Sequence, residues 1–568
     1  MKSRVLYIIF WNFPSYLAIL FVLICQPFIH GQGRNEEVTI IAPYIPTIGT
    51  AAKIPFRPEI TVPEATASVF DYDYITRSVE TRLELDAVDP VRFSDSRQED
   101  LLRNYAKVGF GNYWTPYVEF LASNLQSEKY LAGARLRHHS SQGGGIKGYG
   151  PNNFSHNMAS VFGKTFLNNH TLSGNLAYNR DVVHFYGYPV ASFPELEINK
   201  DDIRQRFQHL KALVDFKSNY TTDYKLDHQF RLEYNYFSDF YQTRESQVSF
   251  LASLNKGFDT RRRDFEHSFG LDVKLDYLNY KDTLSAFRPI YIEIIPLYSF
   301  TMGQYSFKAG LHVDIVSEPV PLDNNVTVAA FPTLGAEIVI LEDRLKAFAD
   351  FSGELTVNSF RSLAYENPFI ISTPELRSSD KHLSIKGGIT GNAGGMNYLV
   401  KASYAHISNM PLFVNDISLE LNNRFQVLYD DINLLDIKAS LGYTRIDNFI
   451  SRITAAYYVY IPENEEKAWH KPSFEVSLDA AYRLKEKFIF RTSMVLIGPG
   501  YARTFEQGNL VPVNLGTAFD LSVGVEYRIN RMISAFVDGN NLLNQTYQRW
   551  YNYPVQGVQV MLGAKISF

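Results

Sequence analysis

The C-terminal stretch from Val558 to Phe568 alternates between apolar side chains and polar or small ones, which is the pattern of a β-strand with two unlike faces. The apolar face carries Val558, Val560, Leu562, Ala564, Ile566 and Phe568. A strand edge with an apolar face of this length promotes aggregation in water. We expect the strand to pair with another strand and to face an apolar solvent, as in a transmembrane β-barrel. On this strand alone, the edge of a soluble β-sandwich is the alternative.

The same alternation recurs along the chain after Tyr105. Clear runs lie at residues 225–236, 268–277, 473–484 and 518–527. Tight turns are expected at 168–169, 303–304, 342–343, 430–431, 485–486 and 529–530. Long polar or Gly/Pro-rich loops are expected at 140–153, 186–203, 361–381, 411–423, 461–471, 498–514 and 539–554. Short turns that alternate with long loops are typical of outer-membrane barrels rather than sandwiches.

The length of this region sets the size of the barrel. At about 21 residues for each strand and its share of the connections, residues 105–568 hold roughly 22 strands, and bacterial barrels have an even number. The chain is therefore predicted to be all-β, with one large antiparallel transmembrane β-barrel of about 22 strands. Its 37 Tyr and 41 Phe suit strands and the aromatic girdles of such barrels. A formal net charge of −5, with no basic stripe, argues against a nucleic-acid binder.

The N-terminus has the features of a secretory signal over residues 1–31. Lys2 and Arg4 supply the positive region, Tyr16 to Cys25 form a short apolar run, and cleavage is expected after Gly31. We expect export and residence in the outer membrane of a Gram-negative bacterium. Cys25 is the one cysteine of the chain and falls within the signal, so the mature chain is expected to form no disulfide and no thiolate metal site.

Residues 32–104 form a segment of a different kind. They show little alternation and carry prolines at positions 43, 46, 55, 58 and 63. Proline stiffens a chain into extended conformations. We therefore predict a short, extended periplasmic arm rather than a globular domain.

Three features near the C-terminus resemble TonB-dependent receptors. Asn541-Leu542-Leu543-Asn544 is followed by Tyr547, Tyr553-Pro554 and Gly557 come before the last strand, and the strand ends on Phe568. In that family, an N-L-[LF]-[ND]…Y run follows the penultimate strand and a Y-P…G-R turn precedes the last one; here Val558 stands where the family usually has Arg. The resemblance implies a 22-strand outer-membrane barrel that takes up a solute. It also implies that the barrel-assembly machinery reads Val560, Leu562, Ile566 and Phe568.

The N-terminal region departs from this family. Its receptors carry a plug domain of about 130 to 150 residues, whereas only about seventy residues lie between the predicted cleavage site and the predicted barrel here. We expect no full plug. The segment 36–43 resembles the short box that adds a strand to the periplasmic protein TonB. The residues that carry this similarity are Glu37, Val38, Thr39, Ile40 and Ile41. An extended arm that merely contains these residues is the alternative.

No other motif indicates chemistry. His138 and His139 are neighbours on a strand, so they face opposite ways and cannot chelate one ion. No catalytic, cofactor-binding or metal-binding residue is predicted, and we expect no enzyme activity and no cofactor. Aromatic residues of the long loops offer either stacking sites for a ligand or a girdle at the lipid headgroups. They are Tyr186, Tyr188, Tyr501, Trp550, Tyr551 and Tyr553.

Two functions remain open from the sequence. The first is a barrel, similar to TonB-dependent receptors, that takes up or passes a solute across the outer membrane. The second is a non-transporting subunit of an envelope assembly or secretion complex. The expected partners are outer-membrane lipid, the barrel-assembly machinery during biogenesis, and TonB or another periplasmic or surface protein. No nucleic acid is expected.

Overall fold

The computed structural model describes residues 104–124, 129–195, 197–220, 226–258, 265–320, 323–446, 448–506 and 508–568. Over these ranges the chain forms a closed, antiparallel barrel of 22 strands, which confirms the predicted fold class. The predicted signal, the arm up to residue 103 and the TonB-box-like residues Glu37 to Ile41 lie outside the described residues. No described helix is both long and apolar enough to cross a membrane.

The barrel strands are numbered in chain order. They are β1 (Tyr105–Gly111), β2 (Thr115–Ser123), β3 (Tyr130–Ser141), β4 (Phe154–Leu167), β5 (His170–His184), β6 (Arg204–Ser218), β7 (Leu226–Ser238), β8 (Arg244–Phe258), β9 (Phe265–Lys281), β10 (Ile290–Met302), β11 (Tyr305–Val320), β12 (Asp323–Leu341), β13 (Leu345–Thr356), β14 (Ser379–Ala393), β15 (Met396–Asn415), β16 (Phe425–Ile446), β17 (Phe449–Pro462), β18 (Phe474–Leu484), β19 (Phe488–Ile497), β20 (Ala518–Arg528), β21 (Ile533–Asn540) and β22 (Gln559–Ser567).

The last strand pairs with the first, so the sheet has no free edge. The register runs from Tyr105 opposite Ser567 to Gly111 opposite Met561. Next to the pair Tyr105 and Ser567, the backbone N–H of Phe568 donates to the carbonyl oxygen of Asn104 at 3.0 Å. The backbone N–H of Asn104 donates to the carbonyl oxygen of Phe568 at 3.1 Å. This seam satisfies the backbone groups that a lipid environment would otherwise leave unpaired.

Alternation along each strand separates a lipid face from a lumen face. On β7, Phe230, Leu232 and Tyr234 are exposed on the outer surface. Arg231 and Glu233 point into the lumen and form ion pairs with residues of β6: Arg231 Nε lies 3.0 Å from an Asp215 oxygen, and Glu233 is 3.0 Å from Lys211 Nζ. The polar residues of the repeating pattern therefore face water inside the barrel.

Connections differ in length between the two ends of the barrel. Short turns lie at residues 168–169, 303–304, 342–344, 394–395, 485–487 and 529–532. The longer loops lie at the opposite end, which we call the outer end, at residues 142–153, 185–203, 282–289, 357–378, 416–424, 463–473, 498–517 and 541–558. They contain a 3₁₀ turn (Val190–Ser192), the helix α1 (Phe360–Glu366), and the hairpins Tyr501–Glu506 with Asn509–Asn514 and Gln548–Trp550 with Tyr553–Pro554.

One predicted turn is wrong. Asp430 and Asp431 lie inside β16, which continues to Ile446. The Asp431 carboxylate accepts the backbone N–H of Asn409 at 2.8 Å, where β15 has a register shift and Asn409 has φ 54°. Asp430 accepts N–H groups of the next outer loop, from Asn464 and Glu465. Adjacent aspartates predict a turn because their carboxylates often accept backbone N–H groups of the same turn. Here they accept N–H groups of a β-bulge and of a neighbouring loop instead.

Candidate functional site: the outer mouth and the lumen

Apolar side chains fill the outer mouth of the barrel. They come from the outer ends of β6, β7, β9, β15 and β16, from α1, and from the loops after β13 and β21. This outer aromatic cluster comprises Phe207, Phe237, Tyr280, Phe360, Leu363, Ala364, Ile370, Phe413, Phe425, Val427, Trp550 and Tyr553. Phe207 stacks on Phe237 with 5.5 Å between centroids, and Phe413 meets Trp550 edge-on at 5.2 Å. The mouth therefore has the packing of a globular core.

The helix α1 carries three members of this cluster. Ser359 caps its N-terminus by accepting the Ser362 N–H at 3.2 Å, and the Ser362 hydroxyl accepts the Ser359 N–H at 3.0 Å. Phe360, Leu363 and Ala364 follow the i, i+3, i+4 spacing of one helix face and are buried. Pro368 comes directly after the C-cap residue Asn367 and prevents further helix. A seven-residue helix is too short to be stable alone, so the buried face holds it in place.

Loops from opposite sides of the barrel touch across the mouth. The loop 185–203 follows β5 and the loop 416–424 follows β15, ten strands further round a ring of 22. The side-chain amide of Asn423 donates to the Phe185 carbonyl oxygen at 2.6 Å and is almost fully buried. The guanidinium of Arg424 lies over the rings of Phe185 and Tyr241, 4.5 and 4.7 Å from their centroids. These contacts bridge the mouth between nearly opposite walls.

Tyr553 joins two more loops to this bridge. Its ring stacks on Phe369 at 3.7 Å and meets Tyr186 edge-on at 4.8 Å. Its hydroxyl donates to the carbonyl oxygen of Asn423, and the Tyr186 hydroxyl donates to the carbonyl oxygen of Pro554 at 3.0 Å. Burial raises the pKa of Tyr553 well above its ordinary value, so the hydroxyl stays a donor. The loops after β5, β13, β15 and β21 are thus held together at one tyrosine.

His470 connects the loop after β17 to the same structure. Its Nδ1 lies 2.8 Å from the Phe413 carbonyl oxygen and its Nε2 lies 3.2 Å from the Tyr551 backbone nitrogen. A carbonyl needs a donor and an N–H needs an acceptor, so these contacts fit the neutral ring with its proton on Nδ1. Burial lowers the pKa of His470 to about 4. The adjacent Trp469 is fully buried and donates from Nε1 to Glu465 at 2.7 Å.

The lumen wall below the mouth is charged. Near the seam, Lys107 Nζ lies 3.2 Å from Asp538, and Arg491 contacts both Asp538 at 3.3 Å and Glu526 at 3.4 Å. A cavity of about 740 Å³ opens against this wall. Among the side chains that line it are Lys107, Tyr117, His139, Arg452, Asp479, Arg491 and Asp538. Charges of both signs alternate along this surface, which suits a wet passage or a polar solute more than an apolar ligand.

The structure also locates the residues singled out from the sequence. Val560, Leu562, Ile566 and Phe568 are exposed on the outer face of the barrel, each at 41% or more. His139 lines the lumen cavity, whereas His138 bonds to Asn157 and Ser140.

Five of the six loop aromatics fit neither a ligand-stacking site nor a headgroup girdle. Tyr188, Trp550 and Tyr553 are buried, and Tyr186 and Tyr501 pack against buried clusters at the mouth. Sequence reasoning missed this core because its members are spread over five strands and two loops that the chain order does not bring together.

Strand number, closure and the two unequal ends define the class of the molecule: it has the fold of a large outer-membrane β-barrel. No protein-family model matches the chain, and no curated protein sequence matches it. Solved structures do, and these neighbours are TonB-dependent receptors. They are receptors and transporters rather than enzymes.

Three of these structures illustrate the similarity. The ferric-catecholate import receptor Fiu from Escherichia coli K12 matches with a TM-score of 0.62 at 9% identity over 82% of each chain. The pyoverdine outer-membrane receptor FpvA from Pseudomonas aeruginosa matches with a TM-score of 0.62 at 12% identity, over 82% of this chain and 78% of the receptor. The iron transporter FrpB from Neisseria meningitidis matches with a TM-score of 0.61 at 11% identity, over 82% of this chain and 81% of the transporter. At these identities the similarity establishes the barrel fold.

Proposed function

We propose that the chain is an outer-membrane receptor that takes up a solute, and that the bridged mouth is its closed state. It would reach the outer membrane by export, with cleavage of the signal after Gly31. The observation that carries the proposal is the hydrogen-bonded contact between loops ten strands apart, Asn423 with Phe185, above a charged lumen. Loops that close a charged, wet lumen by side-chain contacts rather than by strands suit a passage that opens for a solute. The non-transporting alternative is not favoured by the structural neighbours, which are transporters and receptors.

The barrier is tested by planar-bilayer conductance of the full, refolded chain. We expect the parent to show a small conductance and Tyr553→Ala to raise it severalfold, because the substitution removes the ring that stacks on Phe369 and the bond to Asn423. Tyr551→Ala is the matched control, since its side chain is only half-buried and lies two residues away. A parent with porin-like conductance, or equal conductance in all three proteins, would contradict a closed mouth.

Uptake is tested separately in cells. A strain without the gene should lose growth on some solute that the parent imports, and expression of the chain should restore it. In the same strain, Tyr553→Ala should increase sensitivity to vancomycin, a probe that an intact outer membrane excludes. If the chain instead co-purifies as a stable complex and its loss changes no solute-dependent growth, the non-transporting subunit is the better description.

We also propose that Val560, Leu562, Ile566 and Phe568 act as the signal for barrel assembly. They form an exposed apolar stripe on β22 and the residue that follows it, and β22 must meet β1 for the barrel to close. Deletion of Phe568 should slow the appearance of the heat-modifiable, folded band in outer-membrane fractions. A truncated chain that assembles at the parental rate would disprove this role.

A further inference from the structure

A cluster of one histidine and two carboxylates lies on the lumen face of β10 and β11. His312 and Asp314 alternate on β11, and Glu293 of β10 is directly opposite Asp314. His312 and Asp314 are buried, and one ligand atom from each of the three residues lies within 4.8 Å of the others. Strand pairing on both sides fixes the backbone positions of this group, so its spacing is set by the sheet rather than by flexible loops.

Both distances from the imidazole nitrogen to the carboxylates fit ligands of one metal ion. His312 Nε2 lies 3.2 Å from Asp314 Oδ1 and 3.4 Å from Glu293 Oε1. A tetrahedral ion with nitrogen and oxygen ligands at about 2.0 to 2.1 Å separates neighbouring ligand atoms by about 3.3 to 3.4 Å. The 3.2 Å contact between His312 and Asp314 is also within hydrogen-bonding distance, so the test must separate a metal site from a hydrogen-bonded ion pair. The corresponding contact between His156 Nδ1 and Asp181 elsewhere on the wall measures 2.8 Å.

The surroundings add negative charge and fix one ligand. The second oxygen of Asp314 accepts the Leu355 N–H at 3.1 Å, which orients the carboxylate as outer contacts of metal ligands do. Lys274 Nζ lies 3.9 Å from Glu293 Oε2, the oxygen that does not face His312, and 3.1 Å from one oxygen of Asp276. The other oxygen of Asp276 is buried and has no hydrogen-bond partner among the described residues. Two carboxylates thus contact His312, and a third, Asp276, shares Lys274 with Glu293.

We infer that Glu293, His312 and Asp314 bind a divalent transition-metal ion inside the barrel, with an open position for water or a solute group. One imidazole with two carboxylates suits Zn²⁺ or a similar ion, whereas Ca²⁺ requires six to eight oxygen ligands. This site is independent of the proposed uptake function, because it could hold a resident ion in the wall of a barrel of either function.

The test is Zn²⁺ binding to the full, refolded chain, measured by competition with a chromogenic chelator. We expect one site in the parent, unaffected by millimolar Ca²⁺, and an affinity loss of at least about tenfold in His312→Ala and Asp314→Asn. His156→Ala is the matched control, because it removes a lumen histidine that faces a single carboxylate. The folded state of each variant is checked by its heat-modifiable mobility.

Cu²⁺ gives a second readout that does not depend on affinity. Its electron paramagnetic resonance spectrum in the parent should show coupling to one nitrogen, and His312→Ala should remove that coupling while His156→Ala retains it. If the parent binds no Zn²⁺, or if folded His312→Ala binds it as the parent does, the three residues form only an ion-paired network and the inference is wrong. Glu293→Gln provides a third ligand variant if either substitution on β11 prevents folding.

Discussion

The outer mouth and the lumen wall of this barrel are built from opposite kinds of side chain. At the mouth, rings such as Phe360 and Phe425 are fully buried, and loops meet through them. On the wall, Lys107, Arg491 and Asp538 pair across strands beside open space. Loops that cross a mouth must bury apolar surface to offset the entropy lost on ordering, whereas the strand ladder already orders the wall. The mouth can therefore loosen while the barrel stays folded.

The largest expected effect separates these two regions directly. Phe360→Ala removes a fully buried ring that contacts Phe207, Phe237 and Tyr280, and should destabilise the mouth by about 3 to 5 kcal/mol. We expect outer loops that are cleaved faster by added protease and a barrel that still shows heat-modifiable mobility. Glu366→Ala is the control on the same helix, because its exposed side chain lies outside the apolar cluster and forms an exposed ion pair with Lys471 that contributes little. Loss of the folded band in Phe360→Ala would mean that mouth and barrel form one cooperative unit.

A charge placed on the wall tests the other region. Leu478 of β18 faces lipid by its alternation with Asp479, which lines the lumen cavity, and Ser477 shares the lumen face. Arginine on the lipid face costs about 2 to 4 kcal/mol near the bilayer midplane, whereas the lumen tolerates it. Leu478→Arg should therefore reduce the heat-modifiable, folded fraction in outer membranes far more than Ser477→Arg. Equal losses would show that the assigned faces of β18 are wrong.

Acid should weaken the mouth through His470. The pKa of this buried ring is about 4 in the folded chain against an ordinary 6.5, so the loosened mouth binds more protons between these pH values. Its stabilising contribution is complete above about pH 6.5 and falls as the pH drops toward 4, with a loss on the order of 2 kcal/mol at pH 5. Protonation also adds a hydrogen to His470 Nε2, which then can no longer accept the Tyr551 backbone N–H, so two donors face each other.

The measurement is protease sensitivity of the outer loops between pH 7 and pH 4.5, with an acid-tolerant protease. His470→Asn should show little dependence on pH over this range, since asparagine does not titrate and accepts the φ of 58° found at this position. A parent whose loops remain equally resistant at both pH values would show that His470 does not limit the mouth.

The sequence predicted the barrel because alternation is a local property of each strand. In β7 and β22, the residues expected to face lipid do so, and the strand number follows from the length of the alternating region. The mouth could not be predicted, since Asn423 and Phe185 are 238 positions apart and loops carry no periodic signal. Glu293 was missed for a related reason: only strand register places it opposite Asp314. The alternate spacing of His312 and Asp314 was the one local sign of that cluster.

The smallest expected effect concerns the segment 36–43, which lies outside the described residues. If Glu37 to Ile41 add as a strand to TonB, then Val38→Pro or Ile40→Pro removes a backbone donor from that ladder and should abolish the pairing. We expect the proline variants to assemble and to transport as the parent does, because we predict no full plug on which TonB could pull. The measurement combines a pull-down with the periplasmic domain of TonB and the conductance and growth assays above, with Thr39→Ala as a control that keeps the backbone donor. Loss of both binding and uptake in the proline variants alone would reverse this view: the chain would then be energised from the periplasm, and the force would have to act on the bridged mouth through the proline-rich arm between residues 43 and 63.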